Sequence, residues 1–261
     1  MTTAGAGLPR CLRPDAVYPV GAEPVAVRGG TTGLLVLHGF TGSPWEIKPL
    51  CEVALRHGWS VAAPVLPGHA TSVRALDGVR WGDWLEASAG ALQWLQGQCD
   101  QVHIAGFSMG ALAGTLLAEQ LADANLKLLL LAPAFALHRA PTLAIAAVHA
   151  LGLAPTLGKA DPRLPDGAKP PCYHAIPLRG AYQLTQMIHA VTMAPRNVPG
   201  PVAVVHGTQD PTVPLQAALQ AAQRLFGSRI AHRPIAGSGH LLLRDKGAAQ
   251  ALAAAWDFLD G

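Results

Sequence analysis

The apolar positions of this chain fall into short unbroken runs separated by longer stretches with helical spacing. Leu34–His38, Ser60–Ala63, Val102–Ala105, Leu126–Ala132 and Val202–His206 are such runs of strand length, and Arg229–Ile235, with polar residues among its apolar ones, is read as a last strand. A shorter one, Val25–Val27, follows an irregular arm, residues 1–24, rich in Pro, Gly and Ala. Continuous apolar runs predict strands buried on both faces, whereas alternating ones would predict a half-exposed sheet. Between the runs, Ile47, Leu50, Cys51, Ala54 and Leu55 share one helical stripe, and so do Trp81, Trp84, Leu85, Ser88, Leu92 and Leu95. Further helices are predicted over Met109–Leu121, from Pro214 to a stop at Gly227, and over Asp245–Leu259 with Asp245 as cap. Ser43-Pro44-Trp45-Glu46 has the spacing of a capping box that opens the first helix near Pro44. Strands alternating with helices predict an α/β fold, a mostly parallel central sheet with helices on both faces.

One segment breaks the alternation. Residues 136–198 hold two helix-like stretches, His138–Leu151 and roughly His174–Met193, joined by the proline-rich APTLGKADPRLPDGAKPPC. The segment lies between two strands and is too long for a simple crossover. It is expected to form a small helical cap over the C-terminal edge of the sheet, where open α/β sheets bind ligands. The domains are then an arm at 1–24, a core made of 25–135 and 199–261, and a cap insertion at 136–198.

Composition narrows the classes. Half of the 261 residues are hydrophobic and 13% are charged, enough apolar material for one large core. A net charge of +3, with no basic cluster of five or more residues, gives no nucleic-acid footprint. Cys11, Cys51, Cys99 and Cys172 are widely spaced without a C-x-x-C, which fits free thiols in a reducing compartment. The opening MTTAGAGLPRCLRP lacks the apolar core of a signal peptide, and the longest apolar run, Leu128–Leu137, is too short for a bilayer. The expectation is a cytoplasmic protein that does not span a membrane. No His/Cys cluster has ligand spacing, so neither a metal nor another cofactor is expected.

Gly106-Phe107-Ser108-Met109-Gly110 directly follows a strand and opens a helix, the pattern of a strained turn that lifts a serine hydroxyl above a sheet. Asp210, in HGTQDPTVP, and His240, in GSGH, also follow strand ends, so all three side chains face one sheet edge. A serine hydroxyl needs a base within hydrogen-bond reach, an imidazole supplies it near neutral pH, and a carboxylate orients the imidazole. Ser108, His240 and Asp210 are therefore the candidate nucleophile, base and acid. The HGFTG turn at 38–42 can aim the Phe40 N–H at the same point as the Met109 N–H, making an oxyanion hole. Asp245 is a rival acid whose position favours a cap. His38, His69 and His206 sit at strand ends and are expected to brace loops.

Five stretches in order, LLVLHGFTGSP, APVLPGH, GFSMG, VVHGTQDPTVP and GSGH, resemble the small bacterial carboxylesterase/monoacylglycerol lipase group of the α/β-hydrolase superfamily, from about residue 25 to the C-terminus. The resemblance implies the α/β-hydrolase fold and the same roles for Ser108, Asp210, His240, Phe40 and Met109. It also implies an ester substrate with an apolar acyl group under the cap, cleaved through an acyl-enzyme without a cofactor. Two positions depart from the group: Ala70 stands where PGHG is frequent, and Ala111 where a glycine often follows Gly110. In the cap, Leu137, Ile145, Val148, Met187, Ile188 and Val191 either line an acyl pocket or pack the cap onto the core. Arg139, Lys159, Arg163, Lys169, Arg179 and Arg196 against Asp161 and Asp166 leave an excess of four positive charges there. They form a solvated surface or attract an acidic head group. Alternative functions are an acyl-CoA thioesterase or lysophospholipase on the same fold, and a non-catalytic small-molecule receptor. An aminopeptidase is disfavoured because residues 136–198 contain no glutamate to grip an ammonium, and a dehalogenase because the nucleophile position is not aspartate.

Overall fold

The computed structural model describes residues 7–14, 16–137, 145, 149–159, 164, 165, 167 and 169–261. Its central sheet contains β1 (Val25–Val27), β2 (Thr32–Leu37), β3 (Ser60–Ala63), β4 (Gln101–Phe107), β5 (Leu128–Leu131), β8 (Val202–Gly207) and β9 (Ala231–Ile235). The strand order is β1-β3-β2-β4-β5-β8-β9. β1 runs antiparallel to β3, with Val25 opposite Ala63, and every other neighbouring pair is parallel. The apolar runs are strands, with ends displaced by at most two residues from the expected ones. The five inner runs are buried on both sides: Leu35, Leu37, Ile104, Leu128, Leu130 and Val204 enter one core, while Leu34, Val36, Ala105, Leu129, Leu131 and Val205 enter the other; the edge strands β1 and β9 stay partly exposed.

Helices α1 (Lys48–Arg56) and α6 (Ala248–Asp260) cover the second face through Leu50, Cys51, Ala54, Ala251, Ala255 and Leu259. Helices α2 (Trp81–Gln96), α3 (Met109–Leu121) and α5 (Leu215–Phe226) cover the first. The capping box at Ser43 does not form. Pro44–Glu46 is a separate 3₁₀ turn, the Ser43 hydroxyl donates to the Pro171 carbonyl (3.1 Å), and the Glu46 carboxylate reaches back to the Gly39 N–H instead. The last helix likewise starts at Ala248, three residues after Asp245, whose carboxylate is engaged elsewhere.

The cap differs most from expectation. Apart from Ile145 and residues 149–151, the first predicted cap helix, including Arg139 and Val148, lies outside the described residues, as do Asp161, Arg163 and Asp166. The second begins at Leu178, because the residues before it pair: β6 (Thr156–Gly158) and β7 (Ala175–Pro177) form an antiparallel hairpin that no periodicity announces. Helix α4 (Leu178–Thr192) then buries Leu178, Ala181, Leu184, Met187 and Val191 at helical spacing. Met187 and Val191 have no exposed surface and belong to the main core. Of the two readings given for these positions, their burial fits packing of residues 136–198 onto the core. Met187→Ala is expected to cost about 2–5 kcal/mol as a core truncation.

Candidate active site

The pairing of β2 with β4 sets the first part of the site. Leu37 lies opposite Gly106, and both strands leave the sheet at the same edge. Three residues beyond that pair stand Phe40, in the turn after β2, and Met109, the first residue of α3, so their peptides lie at the same edge. Ser108, between β4 and α3, has φ 54° and ψ −111°, a backbone conformation that a side-chain-bearing residue adopts only under constraint. The constraint is local. The Ser108 N–H donates to the Leu131 carbonyl (2.9 Å), and the Ser108 carbonyl accepts from Ala134 (3.2 Å). The turn is also tight: a Cβ on Gly106 would lie 2.3 Å from the Gly110 oxygen, and one on Gly110 2.3 Å from the Leu37 oxygen. Met109 is the first residue of α3, so its N–H has no carbonyl acceptor within that helix.

His240 bridges Ser108 and Asp210. The Ser108 hydroxyl donates to His240 Nε2 across 3.1 Å, and His240 Nδ1–H donates to Asp210 Oδ2 across 2.7 Å. The Asp210 side chain is buried, and both of its oxygens are used. Oδ1 accepts from the Thr212 and Val213 N–H groups (2.8 and 2.9 Å), and His206 Nε2 lies 3.3 Å from Oδ2. Burial pushes the Asp210 carboxyl up, but hydrogen bonds from His206 and His240, the His240 charge and the Val213 N–H outweigh it. The carboxyl is held well below the usual carboxylate range. A hydroxyl, an imidazole and an ionised carboxylate thus share one proton path, the arrangement that activates a serine oxygen.

Asp245 does not approach His240 Nδ1 in this way. Its carboxylate accepts from the Ser238 hydroxyl (2.8 and 2.9 Å), the Gly239 N–H (2.5 Å) and the Gly247 N–H (2.8 Å). It ties down the loop that presents His240. His38 and His69 brace loops, as expected. His38 Nδ1–H donates to the Gly39 carbonyl (2.9 Å) and its Nε2 accepts from the Leu66 N–H (3.1 Å), while His69 Nδ1 faces the Leu66 and Pro67 carbonyls. Burial pushes both imidazoles down, His38 to about 4. Ala70, one of the two departures, carries φ 53°, a conformation that a glycine would adopt without strain.

Tyr173, in the site region, had no signature in the sequence. Tyr173 donates its hydroxyl to the Gly68 carbonyl (2.7 Å), accepts from the Thr71 N–H (3.0 Å) and donates its own N–H to the Thr41 carbonyl (2.9 Å). It stitches the cap's return segment to two rim loops. Ile145, Leu178 and Ala181 form a small apolar cluster, with Phe40, Ile176 and Tyr182 at its edge. Leu137 and Ile188 are partly buried against the main core. Among the described cap cations, Arg196 pairs with Glu119 (2.9 Å), Arg179 donates to the Gly152 and Leu153 carbonyls, and Lys159 donates to Thr41 Oγ1 (2.9 Å). Much of the basic excess is therefore committed to internal contacts. Among the described residues no three His, Cys, Asp or Glu side chains converge as a metal site, and no helix is long and apolar enough to cross a membrane.

Residues 34–255 match the model of the alpha/beta hydrolase family, and the chain belongs to that family. Among individual proteins, a thermostable monoacylglycerol lipase of Bacillus sp. (strain H-257) is 36% identical over 108 residues. That stretch is 41% of this chain and 43% of the lipase, so the match spans less than half of that relative's length. A structure from a study of LipS and LipT, two metagenome-derived lipolytic enzymes, superposes with a TM-score of 0.85 at 26% identity, covering 94% of this chain and 99% of that one. A monoacylglycerol lipase of Paleococcus ferrophilus shares the fold, with a TM-score of 0.73 at 18% identity over 91% of this chain and 99% of that one.

Proposed function

We propose that this protein is a serine hydrolase that cleaves carboxylic esters with an apolar acyl group through an acyl-enzyme. The observation that carries the proposal is His240, within hydrogen-bond reach of Ser108 on one ring nitrogen and of Asp210 on the other. Ser108 Oγ attacks the ester carbonyl carbon and passes its proton to His240 Nε2. The carbonyl oxygen, now an anion, is held by the N–H groups of Phe40 and Met109; each such donor typically contributes on the order of 10²–10³ in rate. His240 returns the proton to the alkoxide oxygen as the carbon–oxygen bond breaks, and the alcohol departs. A water molecule, deprotonated by His240, then attacks the acyl carbon, and Ser108 leaves as a hydroxyl with the proton from His240. Asp210 stays ionised throughout and steadies the imidazolium.

The apolar cluster of Ile145, Leu178 and Ala181, with Phe40 packed against it, supports an apolar acyl group. The lipase and lipolytic relatives support an ester as the reacting bond. A series of p-nitrophenyl esters and monoacylglycerols of increasing chain length, run beside acyl-CoA thioesters, tests the reading. Ester turnover that rises with chain length and exceeds thioester turnover is expected. Turnover of the thioester alone makes the protein a thioesterase, and turnover of neither leaves the receptor alternative.

A further inference from the structure

The turn that carries Phe40 is held in an unusual way. Gly39 to Gly42 form a β-turn closed by the Gly42 N–H on the Gly39 carbonyl (3.3 Å), with Thr41 at φ 61°. A non-glycine residue in that region is strained and persists only where its surroundings over-determine it. The surroundings are a carboxylate inside the turn and the cap outside it. Glu46, buried, accepts the Gly39 N–H on Oε2 (3.1 Å) and fills the concavity of the turn. A Cβ on Gly42 would come within 2.1–2.3 Å of the Glu46 carboxylate. From the outside, Lys159 donates to Thr41 Oγ1 (2.9 Å) and the Tyr173 N–H donates to the Thr41 carbonyl (2.9 Å). A carboxylate is thus buried on this turn, and neither helical segment that begins beside it has a side-chain cap.

We propose that Glu46 is a positioning residue that aims the Phe40 N–H, by gripping the Gly39 peptide from within the turn, and that Lys159 of the cap holds the same turn from the other side. The inference rests on the reading of Phe40 as an oxyanion donor. A peptide plane freed on one side rotates, and a donor misdirected by a fraction of an ångström loses much of its value to a developing anion while ground-state binding is left intact. The charged groups near Glu46 are Lys159, His240 and Arg244, and Arg244 is itself anchored by donating to the Trp45 carbonyl and lying 4.2 Å over the Trp45 ring. None of them replaces the hydrogen bond to Gly39.

The test compares Glu46→Ala, Glu46→Gln, Gly42→Ala and Lys159→Met in ester turnover, with active sites counted by fluorophosphonate titration and an alkyl boronic acid as anion mimic. Glu46→Ala is expected to lower kcat about tenfold or more with KM within about twofold, and to weaken the boronate in parallel. Glu46→Gln, which keeps an acceptor for Gly39, stays within about threefold of wild type. Gly42→Ala, whose methyl takes the carboxylate's place, behaves like Glu46→Ala, and adding Glu46→Ala to it costs little more because both act on one turn. Lys159→Met lowers kcat severalfold, and its effect is not additive with that of Glu46→Ala. A merely structural role for Glu46 would lower the melting temperature without changing kcat per titrated site. Unchanged kcat in Gly42→Ala and Lys159→Met, or equal damage in Glu46→Gln and Glu46→Ala, overturns the proposal even if Glu46→Ala fails to fold. Wild-type protein without ester turnover overturns it together with the functional reading; wild-type turnover with indifferent variants overturns it alone.

Discussion

His206 and His240 place ring nitrogens on the same oxygen of Asp210, Nδ1 of His240 at 2.7 Å and Nε2 of His206 at 3.3 Å. The second histidine also donates to the Val213 carbonyl (3.2 Å), so it spans the loop that carries the acid. The carboxylate is thereby fixed from β8 as well as from its own turn. It is oriented before any substrate arrives.

Asp210→Asn is expected to reduce kcat by on the order of 10⁴, because an amide neither fixes the His240 tautomer nor stabilises its cation. Asp245→Asn should lose far less. Steady-state kinetics on the two variants decide which carboxylate serves His240; the opposite ranking would name Asp245.

Removing Asp245 altogether has a different signature. Asp245→Ala leaves the buried Ser238 hydroxyl and the Gly239 N–H without their acceptor. The expected cost is about 1–3 kcal/mol per buried group left unsatisfied, and a looser His240 loop lowers kcat as well. Chemical denaturation and turnover, measured together, should fall together.

Ser108 occupies its backbone conformation at a cost of order 1–3 kcal/mol. Ser108→Ala keeps that strain and loses only the hydroxyl, so it should be inactive with nearly unchanged stability. Ser108→Gly should also be inactive but more stable than the alanine variant, since glycine adopts this conformation freely. Thermal melts of the two variants check the ordering.

Acid should weaken the fold before the carboxylates are reached. Burial lowers His38 from its ordinary 6.5 to about 4, so the unfolded chain takes up a proton that the folded one refuses. The stability tied to the neutral imidazole is complete above about 6.5 and is lost as the pH falls towards 4. His69 is lowered by burial in the same direction. Denaturation midpoints between pH 7 and 4 should decline in wild type and decline less in His38→Gln.

The parts of this molecule that announce themselves in sequence are those whose local requirements coincide with the fold. Leu128–Leu131 is buried on both faces, so its run is unbroken. Gly106 and Gly110 frame Ser108 because the backbones touch there. Where one residue type serves two geometries, the pattern misleads. Ser43 and Glu46 have capping-box spacing, yet the glutamate turns back to Gly39 and the serine reaches Pro171. Asp245 looks like a helix cap and instead holds the His240 loop. The β6–β7 hairpin is silent for another reason: three-residue strands containing Gly158 and Pro177 have no period to read. Tyr173 was invisible because its partners, Thr41, Gly68 and Thr71, lie about a hundred residues or more away and are mostly backbone groups.

Ser108 is proposed to supply the oxygen that becomes acylated, and covalent labelling tests that most directly. Intact protein treated with an alkyl fluorophosphonate, digested and read by mass spectrometry, should carry one adduct, on the peptide containing Ser108, with ester turnover lost in proportion. His240→Ala should slow that labelling by orders of magnitude. Ester turnover lost on treatment without an adduct on Ser108, or full turnover by Ser108→Ala or by protein fully labelled at Ser108, would contradict this assignment.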